Sequence, residues 1–399
     1  MKPIRERIAT LAVFLANGFG IGAWAVEVPR IKEHLSLSDS ALGIALFCFA
    51  LGAIVTMPLA GRLAPRFGSG RATALIGVAF FIALPLPAFA PNLPLLCLVL
   101  FVLGAANGAL DVSMNGHASA IETQWQSPIM SSFHAAWSAG GLTGAATGAM
   151  IQKWGVGTAG GLLLPDAFIG ALILAAAALA LRDVGARAGK TASGFALPDA
   201  SVMKLAALAF LCMMVEGAVA DWSAVFLRSA LNREASVAAI GYSAFAFSMA
   251  ACRVIGDVSV RCLGASTVVG LGGLLAASGF ALVLGVPSVW TASVGFALVG
   301  LGLANIVPVI FSAAGRSAAT PAVGVSMAAT AGYAGFLVGP PLIGFGAGLV
   351  GLRLALCALL IAALIVCAVG GRAVRSADLS TAARRSAKVP VSRPRSGTR

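Results

Sequence analysis

The polar residues able to do chemistry are few, and their spacing is regular. Gly104–Asn115 reads G-A-A-N-G-A-L-D-V-S-M-N inside an apolar run. Asn107, Asp111 and Asn115 are four residues apart, so on a helix they form one polar stripe. A carboxylate at the centre of a membrane helix costs on the order of 3 kcal/mol on insertion scales, and is kept where it faces a partner or a water-filled cavity. With the apolar run ending near residue 116, Asp111 is expected about six residues from the end of its helix. His134 is expected about five residues into the next helix, at similar depth and on an antiparallel neighbour. Such a pair can exchange protons, or it can lock two helices together.

Glu216 lies about twelve residues into another apolar run, roughly 18 Å deep, where no basic residue shares its span. It is expected to contact a polar solute or a cation; a structural hydrogen bond to an Asn of the first helix is the rival. Asn17 has comparable depth on that first helix. The pattern G-x-x-N recurs at Gly302–Asn305, which adds Asn305 to the polar set. Trp137 and Tyr333 are deep aromatics that either stack on a solute or simply pack. Glu27 and Asp221 fall nearer span ends, where they meet water or Arg30 and Arg228.

The composition sets the scaffold that must position these groups. Of 399 residues, 59% are hydrophobic and only 10% charged, with mean hydropathy +0.96. A soluble chain of this length could not hide that much apolar surface, so a multi-pass membrane protein in a lipid bilayer is expected. Forty-eight glycines point to close helix packing. The seven cysteines form no C-x-x-C and sit in or beside apolar runs, so they read as small packing residues. His34, His117 and His134 are too scattered for a metal site. No H-E-x-x-H, G-x-S-x-G or G-x-x-x-x-G-K-[ST] occurs, which argues against an enzyme, and no cofactor is expected.

Twelve spans can be drawn, near 8–29, 40–60, 72–90, 94–116, 129–151, 160–181, 204–227, 236–260, 265–285, 288–311, 322–349 and 352–371. With the N-terminus inside, 21 Lys and Arg fall on the inner side and 6 on the outer, which accounts for all 27. That bias predicts both termini in the cytoplasm. It also explains the net charge of +13 without nucleic acid. The polar stretch 182–203 divides a six-helix bundle at 1–181 from a second at 204–371. Residues 372–399 are expected to be a basic disordered tail. Trp24, Arg30, Gly43 and Asn107 recur 198 residues later as Trp222, Arg228, Gly241 and Asn305. Ser131, Gly140 and Gly144 recur 195 residues later as Ser326, Gly335 and Gly339, and Gly61 and Arg66 as Gly256 and Arg261. Matches in one order and nearly one register indicate a duplication.

Between the second and third spans stands Gly61-Arg62-Leu63-Ala64-Pro65-Arg66-Phe67-Gly68, followed by Ser69-Gly70-Arg71. It resembles the signature loop of the major facilitator superfamily, with Pro65 where the family has an acid. The second copy is looser, Arg253 to Asp257 with Arg261, and Arg253 and Asp257 one helical turn apart are expected to pair. These residues form the expected cytoplasmic gating set; the simpler reading is that the arginines only fix topology. Asp111 with Asn115, and His134 before Gly140, look most like the fucose permease branch, although Ala25 replaces its first-helix acid.

The resemblance implies an all-α fold of twelve transmembrane helices in two pseudo-symmetric bundles around a cavity, in an inner membrane. It further implies a monomeric secondary active transporter working by alternating access, with proton symport of a small polar solute such as a sugar. The alternative is proton-coupled efflux of drugs or metabolites. The missing Pro in the fifth helix, and the missing Arg in the fourth, lean away from efflux.

Overall fold

The structure is a computed structural model that describes residues 3–179, 200–227, 235–286, 288–318 and 320–387. Among them only helices and short turns occur. In chain order these are α1 (Ile4–His34), α2 (Asp39–Phe67), α3 (Ser69–Ala83), α4 (Leu93–Trp125), α5 (Met130–Lys153) and α6 (Thr158–Leu179). The second half holds α7 (Ala200–Val225), α8 (Ala235–Val254), α9 (Gly256–Leu263), α10 (Ala265–Gly285) and α11 (Val289–Leu303). It ends with α12 (Ile306–Ser317), α13 (Pro321–Val350), α14 (Leu352–Ala355) and α15 (Cys357–Ala387).

Ten stretches of the described chain are long and apolar enough to cross a bilayer, and the pair α8–α9, bent by 61°, makes an eleventh. The twelfth is α5, whose Gly, Ser and Thr content dilutes its hydropathy. Its 24 residues still reach about 36 Å, enough to span. The polar ends are set by side-chain caps. Ser38 accepts from the Ala41 N–H at 3.2 Å, Asn92 from Leu95 at 3.0 Å and Thr320 from Val323 at 3.4 Å. Each occupies one of the N–H groups that a helix start leaves orphaned.

Glycines bring the helices together. A Cβ at Gly140 or Gly144 of α5 would overlap the Leu15 or Phe19 carbonyl of α1. A Cβ at Gly335 or Gly339 of α13 would overlap the Phe210 or Met214 carbonyl of α7. The two seams are the same contact made once per bundle. The tight turns repeat too: Gly68 closes α2–α3 with φ 93°, and Gly264 closes α9–α10 with φ 83°. Both lie where a side chain would be strained.

The bundles meet along α2–α13 and α5–α8. The closest approaches lie near the face that carries the start of α1 and the α2–α3 turn, here called the arginine face. There Gly61 packs on Ser326, and Gly256 packs on Ser131. The Ser326 hydroxyl also donates to the Met57 carbonyl at 2.8 Å.

Two helix ends differ from expectation. α4 runs to Trp125, well past 116. α15 runs to Ala387, so residues 372–387 are helical; their alanine-rich sequence continues the helix beyond the apolar run. Residues 180–199, 228–234 and 388–399 lie outside the described chain, and with them most of the expected central loop, Arg228 and the end of the tail.

Candidate functional site

The length of α4 relocates the polar stripe. Asp111 stands 18 residues from its start and 14 from its end, hence about 21 Å from the arginine face, near the membrane centre. His134 is only four residues into α5, about 6 Å. No hydrogen bond or ion pair joins the two among the described residues. The His134 ring lies between Phe14, with ring centroids 5.7 Å apart, and Phe311, at 5.9 Å. The expected Asp111–His134 pair is therefore not formed.

A chain of hydrogen bonds crosses the middle of the molecule instead. The Trp137 indole donates to Asn17 Oδ1 at 2.9 Å, and the Asn17 amide donates to Asn107 Oδ1 at 2.9 Å. Asn107 in turn reaches the hydroxyl of Tyr333. One chain thus links α5, α1, α4 and, across the bundle boundary, α13. Asn115 donates to Asp111 Oδ1 at 3.1 Å and to its carbonyl at 2.9 Å. The other carboxylate oxygen, Asp111 Oδ2, is buried without a partner, as is Asn115 Oδ1. The Tyr333 phenol lies within electrostatic reach of both Asp111 and Glu216, acids of different bundles.

Glu216 has a cationic neighbour after all, supplied by a different helix. Arg253 Nη2 of α8 lies 3.9 Å from Glu216 Oε1. The glutamate side chain is 23% exposed and the arginine 6%. The expected Arg253–Asp257 pair is absent because the chain breaks between them: α8 ends at Val254 and α9 begins at Gly256 with a bend of 61°. Asp257 turns to the start of α5, where its carboxylate accepts the Ser132 N–H at 3.2 Å.

Asn305 sits at a second break, between α11 and α12. It is 4% exposed and packed against Gly256. The two breaks satisfy each other. Asn305 Nδ2 donates to the Cys252 carbonyl at 3.2 Å, and Arg253 Nε donates to the Ala304 carbonyl at 3.2 Å. Both acceptors are carbonyls beside the interruptions, where the helix ladder cannot serve them. Arg253 Nη1 then donates to Ser138 of α5, in the other bundle, at 2.8 Å.

The arginine face carries a fastening that the sequence reading missed. Glu122, near the end of α4, is 7% exposed. One carboxylate oxygen accepts the N–H groups of Ile129 and Met130 at 3.0 and 3.1 Å. The other takes the Ser312 hydroxyl and, at 3.4 Å, Arg316 of α12. Arg316 extends to Asp378 of α15 at 3.0 Å. Arg7 donates to Ser132 at 3.2 Å and lies 4.7 Å over the Trp125 ring. The carboxylates of Glu122 and Asp257, one from each bundle, therefore sit at the positive end of α5. A cavity of about 450 Å³ opens among Glu122, Asp257, Ser312 and Arg316. The available signal was an acid eight residues before the α5 start, at capping distance across a turn.

Of the expected gating set, Gly61 and Gly68 fill the close contact and the turn described above. Arg62, Arg66, Arg71 and Arg261 are exposed at the arginine face. Asp257 fastens a helix start, and Arg253 pairs with Glu216.

The family model described as Major Facilitator Superfamily matches residues 10–331, most of the chain. The chain belongs to the major facilitator superfamily. An uncharacterised MFS-type transporter of Yersinia pestis is 35% identical over 355 residues, covering 88% of this chain and 91% of that one. Membrane protein MosC of Rhizobium meliloti is 38% identical over 356 residues, covering 88% and 86%. Among solved structures, the human organic anion transporter MFSD10 superposes with TM-score 0.74 at 13% identity, covering 94% of this chain and all of that one. The fucose:proton symporter FucP of E. coli gives 0.71 at 15%, covering 94% and 99%. At those identities the structures share the fold. This member of the superfamily is thus a multi-pass membrane transporter whose two bundles place polar side chains near the membrane centre and are fastened at the arginine face.

Proposed function

We propose that this transporter is a proton-coupled symporter of a small polar solute such as a sugar, working by alternating access with its arginine face in the cytoplasm. The observation that carries the reading is Asp111, a mid-membrane carboxylate with one oxygen held by Asn115 and the other buried without a partner. A proton fits that vacancy and removes the charge before the chamber closes around it. Asn17, Asn107, Trp137, Glu216 and Tyr333 supply hydrogen-bonding groups and aromatic faces for solute hydroxyls. His134 and Asn305 have structural parts in this reading, and Asn115 orients Asp111. A single chain carries the whole polar set, so a monomer in the inner membrane, with both termini inside, suffices.

The test uses proteoliposomes loaded with a pH-sensitive dye and challenged with a panel of sugars. At least one sugar should drive proton movement with the native chain. Asp111→Asn should abolish that movement and gradient-driven accumulation while leaving solute exchange largely intact. Full accumulation by Asp111→Asn would remove Asp111 from coupling. Proton movement with no sugar, but with amphipathic drugs, would favour efflux.

A further inference from the structure

Arg253 does more than serve the Ala304 carbonyl at the α11–α12 break. It is 5% exposed and ten residues from the end of α9 across a bend of 61°, hence less than about 15 Å from the arginine face. Glu216, sixteen residues into α7, lies about 24 Å from that face. The guanidinium therefore sits on the sealed side of the ion pair, and the carboxylate on the side that keeps some exposure. The donors of Arg253 reach three different elements: Glu216 on α7, the Ala304 carbonyl at the α11–α12 break, and Ser138 of α5 in the opposite bundle. Its own helix breaks two residues later, at Ile255. The groups facing Glu216 are Arg253 and Tyr242 of α8, Cys212 on its own helix and Tyr333 of α13. Arg253 is the sole cation among them.

We propose that Arg253 is a positioning residue that transmits the charge state of Glu216 to the two broken helices and to the opposite bundle, so that neutralising Glu216 unfastens the arginine face. While Glu216 is ionised, each charge compensates the other and the closed face is tolerated. When a proton or a cationic ligand neutralises Glu216, a guanidinium is left buried without a counter-charge. An uncompensated buried charge is strongly unfavourable, and opening the arginine face is the short route by which water reaches it. Loss of Arg253 instead leaves Glu216 ionised on the more exposed side, with no drive to open that face. The inference rests on alternating access but not on the role of Asp111.

The reporter is Ser326→Cys in a chain whose seven cysteines are replaced by alanine. Ser326 is 4% exposed and packed beneath Gly61, so a membrane-impermeant maleimide reaches it when the arginine face opens. In nanodiscs, Glu216→Gln should raise the labelling rate tenfold or more, and Glu216→Asp, which keeps the charge, should leave it near the parent. In an Arg253→Gln background, Glu216→Gln should change the rate less than twofold. An unchanged rate in Glu216→Gln overturns the proposal. So does an increase that persists without Arg253, or one reproduced by Glu216→Asp, which would mark loosened packing. Repeating the pair of measurements in Asp111→Asn should give the same increment, so failure of the proton reading at Asp111 leaves this result separately readable.

Discussion

Glu122 makes four contacts with one carboxylate: two backbone N–H groups of its own bundle, and Ser312 and Arg316 of the other. Hydrogen bonds to a charged group contribute about 1.5–3 kcal/mol each, and stranding buried donors costs about 1–3 kcal/mol. Glu122→Ala should therefore lower the thermal midpoint of the purified protein by several degrees. Arg316→Ala should lower it less, because that guanidinium is 26% exposed and water replaces part of what it loses. Equal midpoints for parent and Glu122→Ala would mean that the fastening contributes nothing. Single residues were unevenly legible in the sequence. The stripe of Asn107, Asp111 and Asn115 was readable because helix periodicity alone puts the three on one face. The partner of Asp111 was not, because its depth depended on where α4 stops, and polar residues 117–125 disguised about two and a half further turns of helix, including Glu122. Glu216 was readable as a deep acid, but its cation comes from a helix that only tertiary packing brings near.

At the scale of elements, the positions of the spans were legible from apolar length and their breaks were not. Hydropathy runs through Ile255 and through Ala304–Asn305 without interruption, since a break inside a bundle is compensated by side chains from elsewhere. Arg253 and Asn305 perform that service for each other, and no local pattern announces it. The α1–α5 and α7–α13 seams were legible as recurring glycines, although their purpose needed coordinates. Gly140→Val should force α5 off the Leu15 carbonyl and lose most of the monodisperse protein in fluorescence-detected size exclusion. Gly43→Ala, with nothing within 4 Å of the added carbon, should elute like the parent. Equal yields for the two variants would mean that the seam is slack.

For the whole molecule, the twelve-helix plan and its two halves were legible because the duplication preserved order and register. What the spacing could not say is that the repeated residues meet one another. The charge bias that sets sidedness can be tested on a native cysteine. Cys262 is exposed on α9 near the arginine face. A chain retaining only Cys262 should resist an impermeant maleimide in intact cells and react in inverted membrane vesicles; the reverse pattern would invert the orientation. The meeting of Gly61 with Ser326, and of Gly256 with Ser131, has one more consequence. A residue of the first copy touches the counterpart of its own partner, and the second copy returns the same touch. That is the self-complementary contact of an isologous dimer. The boundary between the bundles is thus a subunit interface carried within one polypeptide, and the intervening chain acts as a tether that raises effective concentration.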